Sequence, residues 1–139
     1  MMFRPLYWQR RIFLVAAVTA VLTGAACRPK ADPVSEFTVE REITPLPVLV
    51  GPVRITFTVR DRASKPVEGA QVSVEADMSH AGMSPVFTEA KEIQPGRYQA
   101  DLTVGMAGDW VILFHGTLAS GEKLERQFEM KGVQPRALN

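Results

Sequence analysis

The chain has 139 residues, enough for one domain with its own core. With 46% hydrophobic and 22% charged residues it has a globular composition, which excludes disorder throughout. A net charge of +1 with scattered basic residues excludes the clustered basic face of a nucleic-acid binder, and a single cysteine excludes an internal disulfide or a multi-cysteine zinc or redox site.

Residues 1–26 read as a signal peptide. Arg4, Arg10 and Arg11 stand in a region without acids, and the uncharged run "IFLVAAVTAVLTGAAC" follows, ending in small residues. That run falls short of the roughly 20 residues that span a bilayer, so export is expected rather than a permanent anchor. "RRIFL", Arg10 to Leu14, resembles the core of a twin-arginine signal, with departures at Gln9 and Val15. An ordinary secretory signal is the alternative. Cys27, directly after Gly24-Ala25-Ala26, resembles the lipid-attachment cysteine of a bacterial lipoprotein, although Gly24 fits that pattern poorly. The other reading is a free cysteine just past the cleavage site. Cleavage before Cys27 leaves thirteen basic and fifteen acidic residues, a net charge of −2.

Residues 27–36 are polar, Pro-containing and without periodicity, as suits a tether between anchor and domain. From Phe37 to Lys131 the pattern is strand after strand. "FTVEREI" is a plausible first strand, and the proline-rich "TPLPVLVGP" after it reads as an irregular or edge segment. "VRITFTVRD" alternates Val53, Ile55, Phe57 and Val59 with polar residues at period two. "ASKPVEGA" is turn chemistry, and "AQVSVEA" resumes the alternation with Val72 and Val74 inward. A weaker strand spans Val86 to Ile93, and Pro95-Gly96 turns into "RYQADLTV". "GMAG" connects to "DWVILFHGTL", apolar on both faces at its centre, as in a central strand whose second face is at least partly covered. Trp110 is its expected core anchor. "KLERQFEMK" closes the domain, alternating Leu124, Arg126, Phe128 and Met130 against charges, and residues 132–139 read as a tail. With no helix pattern, about seven short strands predict an all-β, antiparallel Ig-like β-sandwich.

Enzymatic constellations are nearly absent. There is no GxSxG, no phosphate-cradling glycine loop and no HExxH, and the two histidines are 35 residues apart. The expectation is a protein that is not an enzyme. What remains is a set of soft donors. "DMSHAGMSP" holds Met78, His80 and Met83 within six residues. Thioether sulfur is soft and imidazole borderline, which suits copper, Cu(I) above all, and not hard ions. Met78 and His80 are two apart, so an extended chain would point both to one side, and Gly82 would let Met83 fold back. Met106, in the glycine-rich turn, either caps the core or joins the same end. His115, at the end of the central strand, reads as a surface histidine or a further ligand. Asp77 is a turn former, and a ligand only to Cu(II). The plainer reading of the loop is that its methionines pack on the sandwich rim.

Taken together, "KPVEGAQVSVEADMSHAGM" and "PGRYQADLTVGMAGDW" resemble the YtkA-like domain of proteins related to FixH, over roughly Arg54 to Leu118. The resemblance implies a small exported or membrane-anchored β-sandwich. Relatives of that type accompany copper-transporting ATPases, oxidase assembly, and heavy-metal efflux or copper-resistance systems. It implies a metal-linked accessory role and no reaction. The chain departs from FixH proper in lacking a clear permanent membrane helix. The expected function is copper binding, delivery or buffering at the cell envelope, in the periplasm or on the outer face of the membrane. His80 and Met83 are the primary ligands expected, Met78 the third, and Met106 and His115 further candidates. The alternative is a non-metal Ig-like module docking on a copper-transport, efflux or respiratory membrane complex.

Overall fold

The structure, a computed structural model, describes residues 36–80 and 82–137. The signal peptide, Cys27 and the tether up to residue 35 lie outside the described residues. So does Ala81.

Seven strands follow in order: β1 (Phe37–Thr44), β2 (Gly51–Asp61), β3 (Gln71–Met78), β4 (Val86–Gln94), β5 (Arg97–Val104), β6 (Gly108–Thr117) and β7 (Lys123–Val133). No helix occurs among the described residues. The strands line up as β1-β2-β5-β4-β3-β6-β7, and every neighbouring pair is antiparallel. The all-β sandwich class expected from the alternation is therefore the one observed.

Strand β4 belongs to both sheets of the sandwich. Val86 to Ala90 pair with β3, then Lys91 to Gln94 pair with β5 across an irregularity at Glu92–Gln94. One strand thus carries hydrogen bonding from one layer to the other, and the sheet curls until it nearly closes. At the remaining seam β1 and β7 exchange no ladder. Instead the Arg41 guanidinium donates to the Glu129 carbonyl and lies over the Phe128 ring, while Arg126 donates to the Phe37 carbonyl at 3.0 Å. Past the bend at Pro45 and Pro47, Val50 N–H donates to the Gln134 carbonyl and Gln134 N–H to the Val48 carbonyl, both at 2.9 Å. The irregular proline segment thus anchors through Val48, which is buried. Strand β7 runs past Lys131 to Val133, also buried, so part of the expected tail is core.

Inward residues come from the period-two pattern. Ile55, Phe57, Val74, Tyr98, Ala100 and Ile112 are fully buried, and Phe57 packs on Phe114 with ring centroids 5.0 Å apart. Trp110 is 2% exposed, the core anchor its sequence context predicts, and Met130 opposite it is equally buried. The Tyr98 hydroxyl donates to the Val67 carbonyl at 2.7 Å and accepts from Ala70 N–H at 3.1 Å, pinning the β2–β3 connection to β5. Glu92 completes that end by accepting from Gly69 N–H and Gly96 N–H.

Candidate metal site at the rim

The end of the sandwich opposite Tyr98 is built by the exit of β3 and the entry of β6. Met78 lies across from Trp110 in the ladder. The next residue, Ser79, bonds the Asp109 carbonyl twice, through N–H at 3.2 Å and Oγ at 3.1 Å. Trp110 Nε1 in turn donates to the Met106 carbonyl at 3.1 Å. The β3–β4 loop (79–85) and the β5–β6 turn (105–107) therefore leave the sandwich side by side. Gly82 sits at φ +98°, with open space where a Cβ would be, so the loop can reverse there.

His80 is exposed, Met83 is 38% exposed and Met106 is 47% exposed. Met106 thus takes the rim position rather than the core-capping one. Met78 is placed differently from the expectation that it would share a side with His80. The inward alternation Val72, Val74, Ala76 continues one step further, so β3 includes Asp77 and Met78, and the Met78 side chain is only 8% exposed. Its Cε lies 3.1 Å from where a Cβ on Gly108 would stand. The turn at Ser79 then breaks the extended geometry on which a shared side depends.

His115 is not at this rim. It pairs with Ser73 and lies five residues along β6 from Trp110, roughly 17 Å at strand rise. Its two ring nitrogens face Glu75 at 3.6 Å and Glu125 at 3.5 Å. Asp77 is half-buried on the outer face, across from Val111. The exposed soft donors carried by the two rim turns are therefore the His80 imidazole and the Met83 and Met106 thioethers, while Met78 is buried in the core. Among the described residues no group of three or more His, Cys, Asp or Glu is placed to hold a metal. The rim turns offer thioether sulfur and imidazole, soft and borderline donors that suit Cu(I) better than Mg²⁺ or Ca²⁺. Ser79 and Asp109, which fix where the loop departs, carry no sequence signal beyond turn chemistry.

A family model described as YtkA-like matches residues 32–115. A comparison with curated proteins finds no match. Among solved structures the chain is similar to the soluble domain of PmoD from Methylocystis sp., at 12% identity over 67% of this chain and 89% of that one, with a TM-score of 0.46. It is also similar to murine CRIg, at 13% identity over 74% of this chain and all of that one, with a TM-score of 0.43. Neither likeness bears on activity.

Proposed function

The chain belongs to the YtkA-like family, and from that premise we propose that it is an exported accessory protein that binds copper at the His80–Met83–Met106 rim. What supports the reading is a single observation: two thioethers and an imidazole all stand exposed on two adjoining turns. Methionine is ordinarily among the most buried residues. Exposing two on one rim forgoes hydrophobic stabilisation, and soft-metal binding is the chemistry that uses it. His80 and Met83, from one loop, are the primary ligands and Met106 joins them from the other. Met78 supports the rim from within the core. Thioethers hold Cu(I) without forming disulfides outside the cytosol, as thiolates there would. Ligand exchange at an open rim then lets the ion pass to an acceptor, a copper-transport, efflux or respiratory membrane complex.

The role is set at the cell envelope, with a lipid on Cys27 as the membrane anchor. Mass spectrometry of the mature amino terminus checks the anchor: a diacylglyceryl-modified cysteine is expected, and an unmodified thiol removes it. The metal reading is tested by titrating Cu(I) against a colorimetric chelator in the wild type, His80→Ala/Met83→Ala and Met106→Ala. The double variant should bind roughly tenfold or more weakly. Equal affinity in wild type and double variant removes the rim as the site.

A further inference from the structure

The two outer faces of the sandwich differ in chemistry. On the β1-β2-β5 face each arginine has its acid. Arg54 bonds Asp101 at 2.7 Å, Arg60 lies 3.6 Å from Glu40, and Arg97 lies 3.8 Å from Glu42. The pattern is that of a balanced, solvated surface.

The β4-β3-β6-β7 face is built otherwise. Cross-strand partners share a side, so the ladder registers give its rows directly. Asp77, Val111 and Glu129 form one row; Phe87, Glu75, Leu113 and Gln127 the next; Glu89, Ser73, His115 and Glu125 the third. Five carboxylates thus surround Val111 and Leu113, which are half-buried, and Phe87, which is 70% exposed. Lysines stand only at the margins. Lys123 is across from Thr117, one row beyond His115, and Lys131 is bound to Glu129 at 2.8 Å. Between Ser73, Glu89, His115 and Thr117 the face opens into a cleft of about 550 Å³.

We infer that this face is a docking surface for a protein segment that presents an apolar side chain flanked by lysines or arginines. Two independent features carry the inference. Leu113 and Val111, adjoining on the outer face of β6, and Phe87, two strands away in the same row as Leu113 across Glu75, are apolar area without an intramolecular use. The frame around it is predominantly acidic, five carboxylates against the marginal lysines and His115, and so complements a basic partner. The apolar centre supplies affinity and the carboxylate frame supplies orientation and encounter rate. Glu89, at the wall of the cleft, meets the partner's cation. The inference is independent of copper at the rim and stands if that reading fails.

The test is an NMR titration of the isotope-labelled protein with a short synthetic peptide alternating lysine with leucine and phenylalanine, and with its glutamate counterpart. The basic peptide should shift amides of Glu75, Phe87, Leu113 and His115, weaken with added salt, and lose roughly tenfold or more in affinity in Phe87→Ala and in Glu89→Lys/Glu125→Lys. Both variants alter exposed side chains and leave the core intact. Shifts centred on β2 and β5, equal response to the acidic peptide, or unchanged affinity in both variants would overturn the inference. So would the same shifts on raising protein concentration alone, which marks self-association, or on adding anionic lipid vesicles, which marks a membrane.

Discussion

Two methionines five residues apart, Met78 and Met83, have opposite fates: one ends a strand and the other lies in the loop beyond it. Met78 falls on the inward phase of β3 and its side chain is buried against Gly108. Met78→Ala should cost about 2–5 kcal/mol in urea unfolding, the usual range for emptying a buried methionine. Met83→Ala and Met106→Ala, each exposed, should stay within about 0.5 kcal/mol. The candidate ligands are thereby separable from the structural sulfur by stability alone. The donor residues were legible in the sequence from side-chain chemistry, whereas the burial of Met78 was not. It depends on whether β3 stops at Ala76 or Met78, and only the Trp110 pairing settles that. Tyr98 sets a second case. Burial raises its hydroxyl above the ordinary tyrosine pKa. The folded state therefore keeps the proton longer than the unfolded one. That contribution is complete below the ordinary tyrosine pKa and is lost as pH rises through the raised folded value. Tyr98→Phe strands the Val67 carbonyl and Ala70 N–H, so it should cost about 1–3 kcal/mol at neutral pH. It should also flatten the alkaline limb of a Tm-against-pH curve.

Among the elements, the turns were as legible as the strands. Pro95-Gly96 marks the β4–β5 hairpin, and the structure shows why glycine is required there. Gly96 sits at φ +70°, and a Cβ would stand 2.7 Å from Pro66 Cβ and 2.8 Å from the Val59 carbonyl. Gly96→Ala should therefore cost about 2 kcal/mol or more in chemical denaturation, above the penalty of the backbone angle alone. The seam between β1 and β7 was not legible. Arg126 falls by alternation on the face of Leu124, Phe128 and Met130, and Arg41 carries no pattern signal of its own, yet each reaches a carbonyl on the opposite edge. Charged side chains on edge strands also keep those edges from pairing with another chain. Arg41→Ala/Arg126→Ala should speed hydrogen exchange of β1 amides on the seam side while leaving β5 protected, a local opening rather than global loss. The strand centres followed from alternation because one face of each is buried. On the outer face, the apolar residues of β6 were legible in "DWVILFHGTL", but the carboxylates around them were not, since they come from β3, β4 and β7, distant in sequence.

At the scale of the molecule, period two predicts a sandwich but does not order its strands. Order comes from which hydrophobic faces meet, and the change of partner along β4 between Ala90 and Lys91, which shares the strand between layers, is announced by no residue pattern. That order, β1-β2-β5-β4-β3-β6-β7, has a further consequence. Divide the chain between Gly82 and Met83, in the loop proposed to hold copper. One piece keeps β1, β2 and β3; the other keeps β4 to β7. Three of the six ladders, β2–β5, β3–β4 and β3–β6, run between the pieces. They interlace like two hands with fingers crossed, so a protease nick there should leave a complex that co-elutes as one species and separates only in denaturant. Continuity of the chain at this loop is then dispensable to the frame, and its residues are free to be selected for what they bind.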